Sequence, residues 1–163
     1  MAEPKTEDAG FPAVEYVQRI ATFLEEVSAW CGEHGLAVER GAVTLNEELM
    51  ARYDAPSLYI KKDGASLARI MPVGSKIVGA HGRVDLIGRV ARHALLFYAG
   101  KIPAFSTQAL AGGKTGVSPS TSMRSGVDRD GWYWIEALVR RPKRIDESLF
   151  LDLLTDVSDY EFY

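Results

Sequence analysis

The 163-residue sequence is 47% hydrophobic and 25% charged, with a net charge of -3; this is ordinary globular usage in a chain long enough to bury one hydrophobic core. One cysteine, Cys31, and three histidines exclude a disulfide scaffold and a zinc module built from Cys and His. No run approaches the ~18 apolar residues of a membrane span, and the polar, acidic stretch Met1 to Gly10 lacks the basic-then-apolar order of a signal peptide, so a cytoplasmic protein is expected.

Residues 1–11 are expected to be a disordered start, followed by one α+β domain over 12–157 and an acidic, aromatic tail over 158–163. Val14, Val17, Ala21, Leu24, Ser28 and Cys31 recur at spacings of three and four, with Ile20, Phe23, Val27 and Trp30 beside them. That spacing predicts an amphipathic helix from about 12 to 34, with Pro12 in its first turn and Gly35 as its stop. Thr44 followed by Glu47 has the pattern of a capping box and predicts a short helix from Thr44 to Arg52, ending before Pro56.

From Ser57 the apolar period shortens to two. Leu58 and Ile60 alternate with Tyr59 and Lys61, and Asp63-Gly64 marks a hairpin turn before Leu67 to Met71. Further extended segments are expected at Lys76 to Val78, Arg83 to Arg89 and Ala94 to Tyr98. Residues 102–131, rich in Gly, Ser, Thr and Pro, read as a long loop that proteases should cut first, at Lys114, Arg124 or Arg129. Trp132 to Arg140 is apolar on both faces and predicts a strand inside the sheet. Asp146 is placed to cap a last helix over 146–157 that carries Leu149, Phe150, Leu153, Leu154 and Val157. The expected fold is α+β: an antiparallel or mixed central sheet of four to six strands, flanked by N- and C-terminal helices that cover one side.

Charge is unevenly spread. Residues 1–60 hold 4 basic and 11 acidic side chains, residues 61–101 hold 8 and 2, and residues 102–163 hold 7 and 9. A basic middle between acidic ends marks Arg69, Lys76, Arg83, Arg89, Arg92 and Lys101 as candidate nucleic-acid contacts. The plainer reading is a solvated face whose cations pair with nearby acids.

Gly113-Lys114-Thr115 has the ending of a phosphate-binding P-loop. Gln108 stands where the earlier glycine belongs, and Gly116, Ser118 and Pro119 follow where a helix should open, so a nucleotide site is not expected. Cys31 lies on the apolar stripe of the first helix and reads as a buried structural thiol. His34, His81 and His93 fall on separate elements.

Gly79 to Gly88 is the sharpest local feature: three glycines, with Val84 and Leu86 on one face and Arg83, Asp85 and Arg89 on the other. It resembles the G-R-[IV]-D-L strand of the PD-(D/E)XK nucleases, over about Ile77 to Lys101. The resemblance implies a divalent metal such as magnesium on Asp85 and an acid-x-Lys pair on the next strand. Lys101 matches the lysine, but Ala99 replaces the second acid, and Glu136 is the candidate substitute. Asp85, Lys101 and Glu136 are therefore the catalytic set of a nuclease reading. Without it, Asp85 is expected to pair with Arg83 or Arg69.

Trp132 and Trp134 point to the same side of their strand and would form a partner-binding platform if exposed, or core if covered. The sequence points first to a non-catalytic cytoplasmic interaction module that binds a protein partner and needs no cofactor. The alternative is a metal-dependent nuclease or nucleic-acid-binding domain that uses the basic segment 61–101.

Overall fold

A computed structural model describes residues 3–77, 79–98, 130–136 and 140–160, with side chains from residue 13 onward. The expected loop at 102–131 lies outside these residues apart from Asp130 and Gly131, as do Ala99, Lys101 and the cleavage sites Lys114, Arg124 and Arg129.

Helix α1 (Glu3–Glu33) begins well before Pro12, so the start expected to be disordered has helical backbone from Glu3. Its buried positions Ala13, Tyr16, Ile20, Phe23, Leu24, Val27 and Cys31 follow the 3.6-residue period. The helix stops where Gly35 enters the left-handed region at φ 73° and the Leu36 amide turns back to the Cys31 carbonyl, a closure that favours glycine.

No helix forms over Thr44 to Arg52. Thr44 and Leu45 instead end strand β1 (Ala37–Leu45), opposite Asp54 and Tyr53 of β2 (Tyr53–Lys62). Val43 and Thr44 are β-branched and suit a strand. The side chains of the expected capping box are used elsewhere: Thr44 Oγ1 donates to Asp54, and the Glu47 carboxylate accepts from Tyr53, Ser75 and Lys76. Long-range bonds override the local preference.

The β2–β3 hairpin forms as expected. Asp63 and Gly64 both take positive φ, 49° and 84°, as a tight primed turn requires, and lead into β3 (Ala65–Gly74). In the expected strand at Lys76 to Val78, Ile77 makes an isolated bridge to Ala80, and Val78 lies outside the described residues. Then come β4 (Arg83–Gly88) and β5 (Arg92–Tyr98). Of the expected strand Trp132 to Arg140, β6 (Gly131–Glu136) is described and residues 137–139 lie outside the described residues; Arg140, at φ 51°, precedes a further strand, β7 (Arg141–Arg144). Helix α2 (Glu147–Ser158) closes the described chain. Asp146 accepts from the Leu149 amide at its start, and Asp159 ends it in the left-handed region.

The described strands form one antiparallel sheet in chain order, β1 to β7. Seven strands exceed the expected four to six because β1 and β7 form where no strand was expected. β6 lies inside the sheet, between β5 and β7. Both helices pack on one face, where one apolar cluster joins Leu24 and Val27 of α1, Ile60, Ile70, Leu86 and Leu95 of the sheet, and Phe150 and Leu154 of α2. Gly88 permits the close seat of α2, since a Cβ there would lie 2.3 Å from the Val157 carbonyl oxygen.

Candidate functional site

Strand alternation sends every second side chain of the central strands to the face away from the helices. Register aligns them in rows across that outer face: Met71, Asp85 and Ala94; Arg69, Ile87 and Arg92; Arg83, Leu96 and Tyr133. Among the described residues no helix lies over them. An antiparallel sheet with a solvated face normally alternates apolar and polar residues. Here a second apolar cluster, separate from the main core, gathers Tyr98, Tyr133, Leu96, Ile135 and Ala80. The Tyr98 and Tyr133 rings meet edge-on with centroids 5.8 Å apart.

Asp85 sits at the centre of this face and is only 4% exposed. Arg83 donates to it twice, from Nε to Oδ1 at 2.8 Å and from Nη2 to Oδ2 at 3.2 Å, and Arg92 Nη1 donates to Oδ2 at 3.4 Å. The hydrogen bond to Asp85 is the main cause holding the Arg83 guanidinium more firmly protonated than an ordinary arginine. The Arg83 side chain is 36% exposed and that of Arg92 64%. The acid is thus buried beneath two cations that remain in contact with water. A metal ion at Asp85 would first have to displace Arg83.

The other expected site residues are placed as follows. Arg69, Arg83 and Arg92 share the outer face. Lys76 lies beyond the end of β3, its Nζ 3.4 Å from the Glu48 carbonyl, and Arg89 lies in the β4–β5 turn. Lys101 is outside the described residues. Glu136 is on β6 with the alternation of Trp132 and Trp134, facing the helix side, and pairs with Lys143 at 3.0 Å. Asp85 and Glu136 therefore lie on opposite faces and are not brought together. Among the described residues no group of three or more His, Cys, Asp or Glu side chains gathers around a common point.

Trp132 and Trp134 are not an exposed platform. Trp132 is buried, stacked on Phe23 with centroids 5.4 Å apart and edge-on to Phe97 at 5.3 Å. Trp134 is half-buried and donates its indole N–H to His93 Nδ1 at 3.2 Å, while His93 Nε2 meets Asp156 Oδ2 at 2.6 Å. Acceptance at Nδ1 assigns the ring proton to Nε2, so this relay ties β6 and β5 to α2.

Local sequence gave no sign of a polar network centred on Glu47 and Tyr16. Four consecutive amides converge there: Val73 and Gly74 donate to the Tyr16 hydroxyl oxygen at 3.0 Å, and Ser75 and Lys76 donate to the Glu47 carboxylate at 2.9 and 3.0 Å. Burial pushes the Tyr16 hydroxyl far above its usual range. For Glu47, burial acts to raise the carboxyl, but hydrogen bonds from Tyr53, Ser75 and Lys76 win and hold it below the usual carboxylate range. These residues are far apart in the chain, so only the folded register could reveal them.

A groove of about 470 Å³ lies between α1 and the sheet, lined by Gln18, Arg19, Thr22, Phe97, Trp132 and Arg144 among others. Its aromatic floor is almost wholly covered. Arg19 is already held 4.5 Å over the Phe97 ring, and Arg144 donates to the Asp130 carbonyl at 2.6 Å. On the outer face Tyr133 is fully buried and Tyr98 nearly so, and the part that reaches solvent is formed by Arg69, Arg83 and Arg92 with the half-buried Met71 and Ile87 between them. No family model matches the chain, and no curated protein or solved structure matches it significantly. No described helix is long and apolar enough to cross a membrane.

Proposed function

We propose that this protein is a non-catalytic cytoplasmic binding module that holds a partner protein on the outer face of its sheet. The observation that carries the reading is the second apolar cluster on the face the helices leave alone. The helix side has its own core; on the opposite face Leu96 and Ile135 pack round Tyr98 and Tyr133, while Met71 and Ile87 beside them belong to neither cluster and stay partly exposed. Apolar residues grouped on a face rimmed by charge favour protein association. The placement of Asp85 and Glu136 on opposite faces favours binding over phosphodiester hydrolysis.

The test compares a photo-crosslinking side chain at Ile87, on the outer face, with one at Gln18, on α1, each introduced into the full chain in its native cell. The expected result is a discrete protein adduct from the Ile87 position that disappears with Leu96→Asp, and none from Gln18. The same purified protein, given DNA or RNA with magnesium or manganese, is expected to cut neither. Cleavage lost in Asp85→Ala, or nucleic-acid binding whose salt dependence flattens when Arg69, Arg83 and Arg92 are replaced, would install the nuclease or nucleic-acid reading instead.

A further inference from the structure

Independently of the outer face, we infer that the free edge of β1 pairs antiparallel with β1 of a second copy of this chain, joining two sheets into one about a two-fold axis. Among the described residues β1 bonds on one side only, to β2, and each of its nine residues is exposed or half-buried. An edge strand presents a row of unpaired N–H and C=O groups, and proteins guard such edges with short strands, proline, lysine or bulges. The opposite edge of this sheet is guarded in that way: β7 is four residues long and reads Arg-Pro-Lys-Arg. β1 carries none of these devices. It holds no proline or lysine, and its register against β2 runs unbroken from Ala37 to Leu45. Gly41 and Ala42 at its middle put no bulky side chain in the way of a second strand.

Charge selects a second copy as that strand. β1 has two charged residues, and Glu39 is matched within the chain by Lys61 Nζ at 2.8 Å. Arg40 is exposed and has no ion pair among the described residues. Asp54, also exposed, accepts from the Thr44 hydroxyl at 2.6 Å and has no cation paired with it among the described residues. Alternation and the pairing of Thr44 with Asp54 put Arg40, Thr44 and Asp54 on one face of the β1–β2 ribbon. The ribbon thus offers one unmatched cation and one unmatched anion, each what another copy lacks.

Opposed residues of an antiparallel pair share a face, so the two-fold axis passes between one residue and its own copy. Centred on Arg40, the two arginines oppose each other; centred on Gly41, they stand diagonal. Centred on Ala42, Arg40 lies opposite Thr44 of the second copy. Asp54 of that copy is then two strand spacings away, roughly 10 Å between Cα atoms. An arginine and an aspartate side chain together cover that distance, and the symmetry makes the contact twice. The axis is normal to the sheet, so both outer faces stay on one side and neither is covered by the pairing.

The test is sedimentation equilibrium of the full-length protein over a range of concentrations, with cysteine cross-linking to read the register. A mass of two chains is expected as concentration rises. Arg40→Glu should weaken the dimer roughly tenfold or more by setting like charges together at both contacts, and Arg40→Glu combined with Asp54→Arg should restore it. Opposed Cα atoms on antiparallel strands lie about 4.5–5.5 Å apart, a separation that a disulfide spans. Ala42→Cys should therefore form an interchain disulfide in oxidised glutathione. Ala37→Cys should not, because its two copies lie roughly 30 Å apart in this register. Cys31 is buried and stays out of the reaction, and circular dichroism confirms that the variants fold.

A single-chain mass at every concentration would overturn the pairing and leave the edge to a strand of another protein, which a photo-crosslinking side chain at Ala42 would then capture in the native cell. A dimer indifferent to Arg40→Glu, or one cross-linked by Ala37→Cys as readily as by Ala42→Cys, would also overturn it and place the contact elsewhere. The Ile87 adduct reads the outer face alone, so the two readings stand or fall separately.

Discussion

Arg83 and Asp85, two residues apart on β4, lie on the same face of the strand and close a two-point ion pair, at 2.8 and 3.2 Å. The period of a strand brings i and i+2 to one side, so the pair is local and forms as soon as β4 is extended.

Removing the acid leaves Arg83 and Arg92 side by side over an apolar surface. Asp85→Ala is expected to destabilise the protein by about 1–3 kcal/mol, less than the ~3–5 of a fully buried pair because both arginines reach water. Urea unfolding of the two proteins measures it; an unchanged midpoint would mean the pair contributes nothing.

Glu47 predicts an acid limb. Its carboxyl is held below the usual range in the folded state, so the unfolded chain takes up the proton first. The stabilisation is complete above the ordinary carboxylate value of about 4.3–4.5 and is lost as pH falls through the lowered folded value. Thermal unfolding followed from pH 7 downward should show wild type losing Tm below that range. Glu47→Gln should start lower at neutral pH and lose less on acidification.

Gly88 predicts a packing failure. A Cβ at this position would meet the Val157 carbonyl at 2.3 Å and its Cγ2 at 2.7 Å, and the carbonyl is backbone held by the Val90 amide at 2.9 Å. Gly88→Ala should force α2 off the sheet and cost about 1–3 kcal/mol. Denaturation reads the loss, and hydrogen exchange should place the faster amides in α2.

Cys31 predicts silence. It is fully buried, and burial pushes its thiol up to about 12. A disulfide reagent at pH 8 should modify it only as fast as the protein opens, with full reaction in denaturant. Rapid labelling of the folded protein would mean that α1 frays that far.

The elements legible in the sequence are those whose signal is local. α1 and α2 show a 3.6-residue period with recognisable ends, and Asp63-Gly64 fixes the hairpin. β1 was hidden because Thr44 and Glu47 satisfy a helix-capping pattern in sequence while their partners, Asp54 and Ser75, are set by folding. At the site, Asp85 stood out as an acid in a basic stretch, and its pairing with Arg83 follows from strand alternation. The share of Arg92 could not be read, since it depends on how β4 and β5 align. Nor could the side taken by Glu136: residues 99–129 separate β5 from β6, and no local rule carries register across such a stretch.

The contact between the two helices also governs how the protein is made. A meander lets each strand pair with the one before it as the chain leaves the ribosome, so the sheet can grow in step with synthesis. Trp30 of α1, however, packs against Phe150 of α2, their ring centroids 5.8 Å apart, and His34 reaches Glu147 at 3.1 Å. Until the residues through Ser158 have emerged, the apolar surface prepared by α1 and β3–β5 has no cover, and the nascent protein must wait, sticky on one side, for its second helix.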